Sequence, residues 1–141
     1  MAAKIYLARW LMPVSSPAVE GGALAVEGTR IVGMGARDEL LARFPEATQE
    51  EFGEAAIMPG LVNCHSHLEL TAMRGYLEDV EDFFLAWLRK LTVARNERMT
   101  ADDLRVSAAW GAVEALRAGV TCVGDAGDSS ATTAEALREV G

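Results

Sequence analysis

The feature that most constrains this chain is a change of hydrophobic period in its second half. Two short apolar runs, 57–62 and 120–123, flank a long stretch of helical periodicity. Within that stretch Val80, Phe83, Phe84, Trp87, Leu88 and Leu91 fall at helical spacing on one face, which predicts an amphipathic helix. Trp87 and the two Phe residues read as core packing. Thr100, with Asp103 three residues on, predicts a capping box at the start of a second helix. That helix runs to about Ala118, where Gly119 stops it. Its Ala108, Gly111, Ala112 and Ala115 are small enough to admit a close neighbour. Val120 to Gly124 reads as a strand ending in Asp125, and Thr132 to Val140 as a further helix. Strand, helix, strand, helix implies an α/β fold with parallel strands and right-handed crossovers. The apolar runs fit strands covered on both faces.

The first half reads differently. Lys4 to Leu11, Ala23 to Val26 and Arg30 to Met34 have strand composition, with turns at Met12–Pro17 and at Glu27–Arg30. Asp38 to Phe44 is a short helix with Leu40, Leu41 and Phe44 on one side, and Glu50 to Met58 returns as another strand. Short strands joined by turns predict part of a small β-sandwich. The organisation is therefore 1–58, the β-rich domain, and 59–141, the α/β domain.

With 141 residues, half of them hydrophobic and a quarter charged, the chain can bury a core. The net charge of −8 argues against nucleic acid and anionic membranes as partners. Arg9 interrupts the only early apolar run, and no run nears the ~20 residues of a membrane helix. Cys64 and Cys122 lack framework spacing, so both are expected to be reduced in a cytoplasmic setting.

The run from Ala56 to Glu69 ends in the only two histidines, His65 and His67. Residues i and i+2 of a strand share a face, so both imidazoles are aimed at one place and Ser66 at the other side. Two neutral imidazoles side by side form a partial ligand set for a divalent metal such as zinc. Asn63 shares their face and is a candidate to support them. If Asp125 points the same way, so do Thr121 and Val123, leaving Cys64 and Cys122 to pack under the helices. Asp125 reads as a turn cap or a hydrogen-bond partner rather than a metal ligand.

Pro59-Gly60-Leu61-Val62-Asn63-Cys64-His65-Ser66-His67-Leu68-Glu69 resembles the first barrel strand of the amidohydrolase superfamily of metal-dependent hydrolases. Met73-Arg74-Gly75-Tyr76, Phe84-Leu85-Ala86-Trp87-Leu88 and Glu114 through Asp125 resemble its deaminase and chlorohydrolase branch. The resemblance implies the start of a (β/α)8 TIM-like barrel in 59–141, its first two βα units, preceded by the N-terminal part of a β-sandwich domain. It implies His65 and His67 as ligands of a divalent metal, most simply zinc. Glu69 matches a position that contacts substrate in some members; the alternative for Glu69 is a solvated loop residue or helix cap. A full barrel takes roughly 250 residues, so the expectation is an N-terminal portion of such an enzyme, inactive alone and without a catalytic residue of its own. It would need the missing C-terminal segment or self-association. The parent reaction implied is hydrolytic deamination of a small heterocyclic amine. The alternatives are a cyclic-amide hydrolase of the same superfamily, or a non-catalytic barrel part that complements another chain.

Overall fold

Alternation of apolar and polar residues organises the first half around one central strand. The computed structural model describes residues 2–80 and 82–141, and the chain divides into two units, Met1–Pro59 and Gly60–Gly141. In the first unit β1 (Lys4–Leu11) pairs antiparallel with β2 (Val19–Glu27), which pairs antiparallel with β3 (Arg30–Ala36). On its other side β1 pairs in parallel with β4 (Thr48–Glu51) and then β5 (Ala56–Ile57). Ile5 and Leu7 lie opposite Ala25 and Ala23 across the ladder and share one face. Helix α1 (Arg37–Arg43) lays Leu40 on that face, with Phe44 and Val32 around it. The face is thus covered by a helix, and the described residues of this unit form one sheet rather than two. The continuous strand expected from Glu50 to Met58 is instead two short ones, because the chain bends at 52–55 between its two stretches of pairing to β1.

In the second unit β6 (Leu61–Ser66) and β7 (Val120–Asp125) pair in parallel. The connection between them holds two 3-10 turns, Leu68–Met73 and Glu78–Val80, then α2 (Phe84–Arg98) and α3 (Ala101–Arg117). Helix α4 (Ser130–Val140) follows β7. The predicted capping box is present: the Asp103 N–H donates to Thr100 Oγ1 at 3.2 Å, and the Thr100 N–H donates to Asp103 Oδ2 at 2.7 Å. The Thr100 N–H and hydroxyl, both donating to Asp103 Oδ2, hold the Asp103 carboxyl below the usual carboxylate range. Gly119, at φ +81°, ends α3 in the left-handed conformation that a side chain resists. The small residues Ala108, Gly111 and Ala112 are buried where α3 packs on the first 3-10 turn and α4. Leu68, Ala108 and Ala136 form the centre of one cluster, with Val123 and Leu137 against it. Met73, Leu91 and Ala94 form a second, with Leu70, Leu77 and Trp87.

Three expectations are corrected here. Helix α2 begins at Phe84, and Phe83 and Phe84 are 71% and 67% exposed instead of core. The helix docks through Leu91 and Ala94 near its middle, so its first turn projects past the cluster. β6 and β7 are not covered on both faces, since Leu61 and Val62 are exposed. The two cysteines are free and exposed rather than packed under helices; Val123 takes the helix side, and alternation turns its neighbour Cys122 away. Among the described residues no helix is long and apolar enough to cross a membrane.

Candidate functional site

β6 delivers His65 at its end and His67 immediately beyond it. The pairing of β6 with β7 shifts register between Asn63 and Ser66, so strict alternation is interrupted in the histidine stretch. The two imidazoles nevertheless lie together, with ring centroids 5.1 Å apart and planes at 72°. With Zn–N near 2.0–2.1 Å and tetrahedral angles, two imidazole centroids on one zinc ion lie about 5 Å apart. The donor chemistry and spacing therefore fit two positions of such a set. Among the described residues no group of three or more His, Cys, Asp or Glu gathers to hold a metal ion, so the pair by itself offers two donors.

The neighbours of the pair are held by specific bonds. Asn63 Oδ1 accepts the backbone N–H of His65 at 3.1 Å, so Asn63 braces the strand and not an imidazole. Asp125 Oδ1 accepts Ser66 Oγ–H at 3.2 Å and the Leu68 N–H at 2.9 Å, and its Oδ2 accepts the Gly127 N–H at 3.3 Å. This is the hydrogen-bonding role that its position at the end of β7 implies.

Glu69, in the first 3-10 turn, is only 1% exposed, so it is neither a solvated loop residue nor an exposed cap. Its Oε2 is buried and has no hydrogen-bond partner among the described residues. Such an atom carries a free-energy cost that a donor would relieve. The carboxyl lies against Gly127, where a Cβ would sit 2.2 Å from Oε2, so only glycine admits this approach. Glu69 and His67 both line a cavity of about 460 Å³ whose other walls include Leu77, Phe84, Trp87, Leu91 and Arg95. A neighbouring hollow of about 300 Å³ shares His67, Leu70, Leu77 and Trp87 and is bounded by Arg74. Arg74 forms a bidentate pair with Glu114, at 3.0 and 2.7 Å. The Arg74 hydrogen bonds and charge hold the Glu114 carboxyl below its ordinary range.

Arg95 went unnoticed in the sequence. It crosses from α2 to the loop after β7, donating to Asp128 Oδ2 at 3.0 Å and Ser129 Oγ at 2.9 Å. The available signal was its place four residues after Leu91, a cation on the face that α2 buries. Ser66 and Gly127 carried no signal, because their partners are remote in sequence.

The family model for the amidohydrolase family matches residues 56–141. A model for an imidazolonepropionase-like composite domain of bacteria matches residues 22–47. A 5-methylthioadenosine/S-adenosylhomocysteine deaminase of Nitratidesulfovibrio vulgaris is 34% identical over 107 residues, 76% of this chain and 24% of that protein. A 5'-deoxyadenosine deaminase of Methanopyrus kandleri is 37% identical over 123 residues, 86% of this chain and 28% of that protein. The chain thus spans about a quarter of the length of these relatives. Among solved structures, an adenosine deaminase from Xanthomonas campestris with bound zinc superposes with a TM-score of 0.84 at 24% identity, over 98% of this chain and 32% of that one. E. coli guanine deaminase superposes at 0.68 with 18% identity, over 99% of this chain and 33% of that one. These superpositions establish a shared fold.

Proposed function

Because the chain belongs to the amidohydrolase family, we propose that it forms part of a metal-dependent hydrolase that deaminates a small heterocyclic amine. In this reading residues 1–58 are the N-terminal part of a β-sandwich domain and 59–141 are the first two βα units of a (β/α)8 barrel. His65 and His67 hold a divalent ion, zinc by their donor chemistry, and Glu69 contacts the substrate in the cavity. The observation that carries the proposal is the edge-to-face pair of imidazoles, 5.1 Å apart, with His67 at the wall of a cavity also lined by Glu69, whose buried Oε2 has no partner among the described residues. The names of the relatives, deaminases of adenosine derivatives, support the same substrate class.

A bound zinc ion would supply Lewis-acid chemistry that lowers the pKa of its water to roughly 7. The chain's own residues do the rest of what is assigned to it. The imidazoles donate two neutral nitrogens. Trp87, Leu77 and Leu91 exclude water from one side of the cavity, and Glu69 offers an acceptor to a ligand N–H or O–H. The net reaction exchanges a C–N bond for a C–O bond from water and releases ammonia. A catalytic zinc ordinarily has three protein ligands. We therefore assign the further ligands and the proton-shuttling group to a longer polypeptide containing this chain, or to a second copy. The two free thiols accord with a cytoplasmic setting.

The match of residues 22–47 to an imidazolonepropionase-like model favours a second reading, hydrolysis of a cyclic amide by the same site. Ammonia release separates the two. The protein carrying this chain, loaded with zinc, is expected to release ammonia from an adenosine derivative, and His65→Ala or His67→Ala to abolish it. Ring opening of a cyclic amide without ammonia would replace the deaminase reading, and full activity in both histidine variants would end the metal assignment.

A further inference from the structure

We infer that Asp125 is a positioning residue that holds His67 in its metal-binding orientation through the two residues on either side of it. The inference rests on the reading of His65 and His67 as metal ligands. His67 lies outside regular structure, with φ −135° and ψ 74° at the start of the 3-10 turn and no side-chain cap. The β6–β7 ladder is irregular beside it. Outside that ladder the backbone support nearby is the bond from the Ala126 N–H to the Ser66 carbonyl, 2.8 Å, and the bond from the Leu70 N–H to the His67 carbonyl, 3.0 Å. The Asp125 carboxyl supplies the remainder. It takes Ser66 Oγ–H, just before His67, and the Leu68 N–H, just after it, on one oxygen. The other oxygen takes the Gly127 N–H, in the loop that lies against the Glu69 carboxyl. Both oxygens are engaged by donors, so Asp125 acts through its neighbours and not as a ligand. One side chain thus ties the segment bearing His67 to the loop that backs Glu69.

The test uses the full chain of 141 residues, titrated with zinc chloride and followed by long-range 1H–15N NMR of the imidazoles. The chain has only two histidines, so each ring is read separately. Groups that orient metal ligands are typically worth 10–100-fold in affinity. Asp125→Ala is expected to weaken zinc binding at least about tenfold, with the His67 ring perturbed more than His65. Asp125→Asn keeps an oxygen for Ser66 and Leu68 and loses the acceptor for the Gly127 N–H, so its affinity is expected to lie between the parent and the alanine variant. Unchanged affinity in Asp125→Ala overturns the inference. An Asp125→Asn as weak as the alanine variant also overturns it, since the oxygen that takes Ser66 and Leu68 would then not be what holds His67. Should Asp125→Ala lose its helical circular dichroism, Ser66→Ala decides. It removes one of the three donors, and a severalfold loss supports the inference while parental affinity overturns it. Failure of the underlying reading has a separate signature: zinc binding that survives His65→Ala and His67→Ala, with neither ring responding in the parent.

Discussion

Replacing Gly124 by alanine tests whether the two strands approach as closely as the site requires. Gly124 sits in β7 directly before Asp125. A Cβ there would lie 2.8 Å from the carbonyl oxygen of Cys64, 3.1 Å from its carbonyl carbon and 3.5 Å from its Cα. An unstrained C···O approach is about 3.3–3.6 Å, so the strands must separate by roughly 0.5 Å. The obstructing atoms are backbone and cannot swing aside as a side-chain tip would. Overpacking of this kind costs about 1–3 kcal/mol. Loss of glycine's freedom in the unfolded chain offsets about 0.4–1 kcal/mol. The packing cost wins, and the expected net destabilisation of the second unit is about 1–2 kcal/mol. For a unit of this size each kcal/mol shifts the midpoint by roughly 4–8 °C. In a Trp10→Phe background the remaining fluorescence comes from Trp87 and Trp110, both in the second unit. A thermal midpoint unchanged or raised in Gly124→Ala would refute the close approach at Cys64, and with it the register that places His65.

Acid should destabilise the second unit through Asp103 and Glu114, whose folded pKa values are both depressed, by the Thr100 cap and by Arg74 respectively. Their stabilisation is complete above the ordinary carboxylate range and is lost as pH falls through the lowered folded values. An Asp103→Asn, Arg74→Gln double variant should therefore lose less stability on acidification than the parent, and an equal loss would refute both assignments. Cys64 and Cys122 should each react with a thiol reagent in the folded chain, since both are free and exposed; fewer than two equivalents without denaturant would contradict that. Leu40→Ala, at a site 1% exposed in the core of the first unit, should cost about 2–5 kcal/mol there. A denaturation midpoint of that unit close to the parent's would show that α1 does not seal the sheet.

What the sequence determined by itself is local. The Thr100 and Asp103 cap, the stop at Gly119 and the strand from Lys4 to Leu11 each depend on residues within one turn or one pleat, and each is found where the sequence puts it. The nearness of the two imidazoles was also legible, because only Ser66 separates them in the chain whatever the register does. Tertiary structure alone decided the rest of the site. Asp125 turns toward Ser66 and Leu68, Glu69 is buried against Gly127, and Arg95 reaches the loop after β7, all through partners from 33 to 59 positions away. Exposure of Phe83 and Phe84 was equally out of reach: a helical period tells which residues share a face, while what lies opposite that face depends on where the helix docks. Leu91 and Ala94 dock α2, and that choice is made by Met73 and its neighbours, not by the helix itself.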